Sequence, residues 1–359
     1  MYLCVYRGQG GRYGKIEPAM NTNDSVLPVN PPKLISTLVR GFNTVAGRVH
    51  LILIPVLVDL FLWLGPKLRI HDLFIPLLQD LTATMLQLMP DEMLEAVNTT
   101  TVTYTEFLEQ FNLFSAIRTF PVGVPSLMAR LTTIASPLNL AGIYETPSFR
   151  AAIAILGGLL MVGFFLGTMY FDSISRFSLE ETGKFSWRHL FSEYAQSLLF
   201  FLIVVALVLA ASIPIFLLLS IFSLLSAGLA QFILFMMIFM VMWMVLPLVF
   251  SAHGIFALDQ KVVPSMLLSV RMVRFFLPGT SLFIMVCILI NEGLNTLWAL
   301  PGGESWLTLM GIGGHAFIVT ALLSASFLYY RDGLKWMQFN IQKMEEASQK
   351  QESGGISVE

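Results

Sequence analysis

Charge and cysteine are scarce in this chain, and each scarcity excludes a class of protein. Charged residues make up 12% of the 359 residues against 56% apolar ones, more apolar surface than a soluble core of this length could use. The two cysteines, Cys4 and Cys287, provide neither a disulfide framework nor a cysteine-based zinc site. A formal net charge of −2 gives no general attraction to nucleic acid. The sequence also contains no phosphate-binding loop, nucleophile elbow, zinc-protease helix or kinase signature.

What the chain has instead is long apolar runs. Six of them cover residues 49–66, 151–171, 196–221, 227–250, 276–299 and 305–329. A helix needs about 20 residues to cross about 30 Å of hydrocarbon, because each residue rises about 1.5 Å. The sequence therefore predicts an all-α, polytopic membrane protein with about six transmembrane helices and the lipid bilayer as its main partner.

Lysine and arginine predict the orientation of these helices. Sixteen of the 21 fall before the first run, after the second, between the fourth and fifth, or after the last, and five fall on the other side. By the positive-inside rule, both termini are predicted to be cytoplasmic, in the inner membrane of the cell. The first 45 residues contain no apolar core segment of a cleavable signal, so the first run is expected to act as an uncleaved targeting signal.

The segments between the runs predict five regions. Residues 1–31 are expected to be a disordered tail, with translation starting at Met1 or Met20, and residues 32–66 an interfacial helix and the first span. Residues 67–150 are expected to be an extracytoplasmic insertion of amphipathic helices, punctuated by Pro90, Pro121 and Pro125. A five-span bundle (151–330) and a cytoplasmic amphipathic helix with a disordered end (331–359) follow.

Basic amphipathic segments precede three of the runs, at residues 33–48, 184–195 and 261–275. Each suits a helix that lies in the cytoplasmic interface. Two interpretations remain open: three repeated units of interfacial helix and paired spans, or the basic flanks that occur in any polytopic protein.

Ionisable residues within the apolar runs are the candidate functional residues, because charge in hydrocarbon is costly. Asp59, Glu292 and His315 are predicted to lie at similar depth in the outer half, with Asn291 and Asn295 beside Glu292. One interpretation is a polar cluster that binds a polar substrate group or relays protons. The other is a satisfied hydrogen-bond network that holds the helices together. These residues give only a weak metal signal, so the sequence predicts no metal, no cofactor and no catalytic residue.

Small residues at helical spacing predict close helix packing in two of the runs. The positions are Gly157, Gly158, Gly163 and Gly167 in the second run and Gly311, Gly313 and Gly314 in the sixth. A break that exposes backbone carbonyls to a ligand is the alternative function for the glycines beside His315.

Three stretches carry a resemblance to a known group: KFSWRHLFSEYAQSLLFFLIVVAL, SMLLSVRMVRFFLPGTSLFIMVCILI and GIGGHAFIVTALLSASFLYYRDG. Together, over about residues 184–335, they resemble the six-helix membrane domain found beside some glycerophosphodiester phosphodiesterases. The segment LVRGFNTVAGRVHLILIPVLVDLFLWLGPKL is similar to uncharacterised bacterial membrane proteins. The resemblance implies a six-helix topology. It implies no phosphodiesterase activity, because that soluble domain does not occur in the sequence.

Three functions remain open at this point. The first is a non-enzymatic membrane scaffold that organises lipid, another membrane protein or further copies of itself through its interfacial helices and the extracytoplasmic insertion. The second is a transporter or exporter with a polar site near Asp59, Glu292 and His315. The third is an intramembrane enzyme acting on lipid. The scaffold is favoured because it does not require the polar residues to form a binding or catalytic site.

Overall fold

The computed structural model describes residues 30–88, 91–129, 136–138, 142–180 and 185–354, and the side chains at 88, 91–93, 96, 227 and 350–354 are excepted. Only residues 30 and 31 of the predicted N-terminal tail fall in these ranges, and the end of the C-terminal tail, residues 355–359, lies outside them.

Helices account for nearly all of the described chain. They are α1 (Leu34–Ala46), α2 (Leu53–Leu64), α3 (His71–Leu88), α4 (Asp91–Gln110), α5 (Phe149–Leu179), α6 (Trp187–Leu225), α7 (Ala227–Val245), α8 (Ser251–Leu258), α9 (Val262–Phe275), α10 (Leu277–Trp298) and α11 (Thr308–Gly354). Short 3₁₀ turns cover Val49–Ile52, Leu113–Ile117 and Leu246–Leu248. The two strands, β1 (Lys67–Arg69) and β2 (Ile143–Glu145), pair in parallel.

Five helical stretches are long and apolar enough to cross a bilayer, which confirms the all-α membrane class. They are Phe149–Leu179, Trp187–Leu225, Gly228–Leu258, Leu277–Trp298 and Thr308–Gln349. A sixth arises only if Leu34–Ala46 and Val49–Leu64 count together as one broken span. Val49–Leu64 alone, at about 1.5 Å per residue, falls short of about 30 Å of hydrocarbon.

The boundaries of two predicted interfacial segments match separate helices, α1 and α9, whereas the third does not. Residues 187–195 are the first turns of α6, which continues without a break to Leu225. No proline or glycine occurs in this helix before Pro214, so nothing in its backbone ends the helix at the start of the apolar run.

The chain forms two compact units, and the first comprises Met1–Thr44, Asp172–Val286 and Ala321–Glu359. Its core is aromatic: the Phe250 ring stacks on Tyr329 at 6.0 Å and on Tyr330 at 5.7 Å, and Phe283 stacks on Tyr329 at 4.1 Å between ring centroids. An ion pair of 2.8 Å joins Arg40 of α1 to Asp332 of α11.

The second unit comprises Val45–Phe171 and Cys287–Thr320. Its strands pair Lys67 with Ile143 and Arg69 with Glu145, a register that the sequence analysis did not predict. The Lys67 ammonium donates hydrogen bonds to the carbonyl oxygens of Leu62 and Trp63, which supplies partners at the C-terminal end of α2. Burial lowers the pKa of Lys67 to about 8.

Within the described residues, the predicted insertion forms two α-helices, α3 and α4, between residues 71 and 110. A third helix is predicted from a stripe of apolar residues at helical spacing, Val124, Leu127, Met128, Leu131 and Ile134, of which the last two lie outside the described residues. Residues 118–129 adopt turns, bends and irregular backbone, and Pro121 and Pro125 disfavour a helix there because each lacks a backbone N–H donor. Val124 and Leu127 are nevertheless buried, so this part of the stripe packs inside the unit without being helical.

Four of the glycines predicted to pack lie against neighbouring atoms. A Cβ built at Gly163 would be 2.3 Å from the Ile117 carbonyl oxygen, and one at Gly167 would be 2.7 Å from the Gly123 Cα. A Cβ built at Gly311 would be 2.5 Å from the Trp298 carbonyl oxygen, and one at Gly314 would be 2.7 Å from the Trp298 ring. Among the described residues nothing lies within 4 Å of a Cβ at Gly157, Gly158 or Gly313, so no close helix contact is seen there.

Gly163 and Gly157 of α5 offer a matched pair of substitutions. We expect Gly163→Ala to lower the free energy of unfolding by about 1–3 kcal/mol, because the new methyl group would overlap a backbone oxygen that cannot rotate away. Gly157→Ala meets open space and should be neutral or stabilising by up to about 1 kcal/mol through helix propensity. Thermal unfolding of both variants in detergent measures this difference, and equal midpoints would contradict the packing at Gly163.

Candidate functional site

Asp59, the first of the predicted functional residues, anchors a loop. It lies on α2, is fully buried, and accepts hydrogen bonds from the Ser126 hydroxyl at 2.5 Å and from the backbone N–H groups of Leu127 and Met128 at 3.1 and 3.0 Å. The Ser126 oxygen in turn accepts the N–H of Ala129 at 3.0 Å. Both carboxylate oxygens are therefore engaged by the irregular segment that follows Pro125.

Glu292 has a different environment. It is exposed on α10, where its carboxylate accepts a hydrogen bond of 3.0 Å from the Asn291 amide, its neighbour in sequence. Its side chain therefore lies on the outer surface of α10 and not in a buried polar cluster. The ligand-binding role predicted for Glu292 stays a prediction.

His315 and Asn295 form a buried polar pair between α11 and α10. The His315 Nδ1 lies 2.7 Å from the Asn295 side-chain oxygen, and both residues are buried. The two helices approach closely here because Gly311 and Gly314 leave room for Trp298. Of the five predicted site residues, the structure thus joins His315 to Asn295 and Glu292 to Asn291, and it joins Asp59 to residues 126–128.

A second group of ionisable side chains, which the sequence analysis did not single out, lies within the first unit. We call it the acid–histidine cluster, and it consists of Asp172, Arg176, His189, Glu193 and Asp259. Ligand atoms of Asp172, His189 and Glu193 all lie within 4.8 Å of one another. The His189 Nε2 is 3.0 Å from the Glu193 Oε1 and 3.0 Å from the Asp259 Oδ1.

Three helix ends position the cluster. Asp172 and Arg176 lie near the C-terminal end of α5 and form an ion pair of 3.1 Å, and His189 and Glu193 lie one turn apart at the start of α6. Asp259 ends α8 in the left-handed conformation, at φ 51° and ψ 31°, which a short polar side chain tolerates better than most.

Two hydrogen bonds hold these ends in place. The Ser175 hydroxyl of α5 donates to the Phe256 carbonyl of α8 at 3.2 Å. The Gln196 side-chain oxygen of α6 accepts the N–H of Val262, the first residue of α9, at 3.1 Å. The cluster is thus built by side chains from helices whose ends are fixed to one another.

Glu193 is the most deeply buried carboxylate in the cluster. Its side chain is only 3% exposed, and its Oε1 forms an ion pair with the His189 Nε2, which Asp259 shares. Neither carboxylate oxygen has a hydrogen bond of good geometry within the described part of the chain. Burying a carboxylate is costly unless it is well paired, so one imidazole shared between two acids calls for an explanation.

The sequence carried one signal for this cluster. His189 and Glu193 are separated by four residues at the start of a long apolar helix, which places them on one face. Asp172 and Asp259 are far from them in sequence and could not be assigned without the fold. A second grouping, of His71, Asp72 and Glu145, is partly exposed, and Arg69 already pairs with Glu145 at 2.6 Å.

Substitution of Asp59 tests its structural role. Asp59→Ala leaves one hydroxyl and two backbone N–H donors without their acceptor, so we expect a loss of about 3 kcal/mol in the free energy of unfolding. Glu292→Gln, on the exposed surface of α10, is the control and should unfold at the temperature of the native chain. Thermal unfolding in detergent provides the measurement, and an unchanged Asp59→Ala midpoint would contradict the anchor.

Comparison with known proteins adds no further constraint on this site. No protein-family model, no curated protein and no solved structure matches the chain. The resemblance to the membrane domain beside some glycerophosphodiester phosphodiesterases therefore stays a prediction. What the residues show directly is a polytopic, all-α membrane protein.

Proposed function

We propose that this protein is a non-enzymatic membrane scaffold that binds other membrane proteins, or further copies of itself, through one helical hairpin. The hairpin, called here the apolar hairpin, consists of residues 201–245, the C-terminal part of α6 and all of α7. One observation carries the proposal: no residue in the most apolar window of either span is buried, although their mean hydropathies are 3.0 and 2.7.

The two ends of α6 differ in burial, which sets the hairpin apart from the rest of the helix. Its buried residues, Leu190, Glu193, Ser197 and Phe200, all lie in the first four turns and pack inside the first unit. Helix α6 packs most extensively on α7, and large side chains of the hairpin such as Phe216 of α6 and Phe235 and Trp243 of α7 are exposed. Membrane helices associate by side-chain packing, so a hairpin whose most apolar windows contain no buried residue has its surface available to other helices.

The composition of α7 suits such a role. Five methionines occur between residues 236 and 244, and unbranched thioether side chains adapt to partners of different shape. The alternative of transport relies on Asp59, Glu292 and His315 acting together. Asp59 already accepts three hydrogen bonds from residues 126–128, which leaves it less able to bind a transported substrate and so supports the scaffold.

Photo-cross-linking in native membranes tests the scaffold. A benzophenone amino acid in place of Phe235 should capture a discrete protein band, because this side chain points out of the hairpin. The same residue in place of Ile153, equally exposed but on α5, is the matched control and should give mainly lipid adducts. Two epitope tags on co-expressed copies separate capture of a second copy from capture of another protein.

Two results would argue against the scaffold. The first is a cross-linking pattern at Phe235 that is indistinguishable from the pattern at Ile153. The second is turnover of a lipid by the purified protein, which would favour the enzyme.

The orientation in the membrane is part of the same proposal. Sixteen of the 21 lysines and arginines support a cytoplasmic location for both termini in the inner membrane. A fluorescent protein that folds only in the cytoplasm should therefore be bright when fused to the C-terminus, whereas an alkaline phosphatase fusion at that end should be inactive. The reverse pattern would overturn this orientation.

A further inference from the structure

We infer that the acid–histidine cluster is a binding site for one divalent transition-metal ion, such as Zn²⁺ or Mn²⁺, held by Asp172, His189, Glu193 and Asp259. The site would tie together the ends of α5, α6 and α8. It is separate from the partner surface proposed above, which begins after Phe200.

The spacing of the ligand atoms fits a metal shell. Two atoms bonded to a metal at about 2.1 Å, with bond angles of about 90–110°, lie about 3.0–3.4 Å apart. The His189 Nε2 lies 3.0 Å from the nearest oxygens of both Glu193 and Asp259. Ligand atoms of Asp172, His189 and Glu193 all lie within 4.8 Å of one another, and Asp259 adjoins this group through its contact with His189. Small side-chain rotations would contract the four side chains around an ion.

Hydrogen bonds from His189 cannot satisfy both of the carboxylates that its Nε2 faces. A ring nitrogen carries at most one hydrogen, so Nε2 can donate to only one of the two carboxylates that it faces. Glu193, whose side chain is 3% exposed, has the ion-pair contact of its Oε1 with His189 at 3.0 Å, but neither of its oxygens has a hydrogen bond of good geometry in the described chain. A cation at the centre would contact both carboxylates and the imidazole at once.

The charges of the cluster also match a divalent ion. Asp172, Glu193 and Asp259 supply three negative charges, and Arg176, paired with Asp172 at 3.1 Å, offsets one of them. A neutral His189 coordinating through Nε2 leaves two negative charges, which a divalent ion balances. Carboxylate oxygens with one imidazole nitrogen suit zinc or manganese, and the absence of a thiolate from the set disfavours copper(I).

Metal titration of the full-length protein in detergent tests the site. After removal of metal with EDTA, Zn²⁺ or Mn²⁺ should bind with a stoichiometry of one and raise the midpoint of thermal unfolding. Glu193→Gln keeps the shape of the side chain but removes the charge, and we expect it to weaken binding at least tenfold. His189→Gln should have a similar effect.

His71→Gln is the matched control, because it removes the histidine of the second grouping, which contains Asp72 and Glu145. It should leave binding unchanged. Loss of binding in His71→Gln but not in His189→Gln would overturn the inference. So would a native chain that binds neither ion, or a Glu193→Gln variant that binds as tightly as the native chain.

A spectroscopic measurement does not depend on the stability of the cluster variants. Mn²⁺ bound to the native chain should show ¹⁴N couplings from one coordinated imidazole in pulsed electron paramagnetic resonance. These couplings should persist in His71→Gln. Bound manganese without nitrogen coupling, or coupling lost in His71→Gln, would contradict coordination by His189.

Discussion

Hydrocarbon offers no hydrogen-bond partner to a polar group, and this constraint governs most of the contacts in the chain. Backbone groups meet it by forming long helices. Side chains meet it in pairs within each unit, such as Tyr170 with Thr320 at 2.9 Å and Ser178 with Ser324 at 2.7 Å. Asp59 meets it with three donors from one short segment. These polar residues of the apolar helices therefore hold neighbouring segments of the same unit together.

The same constraint separates the two ends of α6. Its first turns carry His189 and Glu193 and pack inside the first unit, while the residues beyond Phe200 are apolar on every face. A helix that is apolar all round has no preferred inward side, so hydrophobicity alone cannot decide what covers it in a membrane. The proposed partner contact and the proposed metal site thus occupy opposite ends of one helix, and each can be altered without the other.

Hydropathy predicted the class and the approximate position of the spans, because the length of an apolar run is a local property of the sequence. It could not predict where α6 begins, since the helix continues through a charged segment that contains no helix-breaking residue. Nor could it predict the parallel pairing of Lys67 with Ile143, which joins residues 76 positions apart. The stripe from Val124 to Ile134 predicts a helix because its apolar residues have helical spacing, but its described part, up to residue 129, follows Pro121 and Pro125 and is not helical.

Asp59 is a candidate in the sequence because it is an ionisable residue within an apolar run, a property that does not indicate which hydrogen bonds it accepts in the folded chain. Asp59 and Glu193 are both buried carboxylates, yet the first accepts three hydrogen bonds, whereas the second has one ion-pair contact, with an imidazole that it shares with Asp259. A satisfied carboxylate stabilises the fold as it stands, whereas a buried carboxylate that shares its partner with further acids is a favourable place for an added cation. Because the donors of Asp59 and the neighbours of Glu193 are brought together only by folding, no spacing in the sequence distinguishes the two cases.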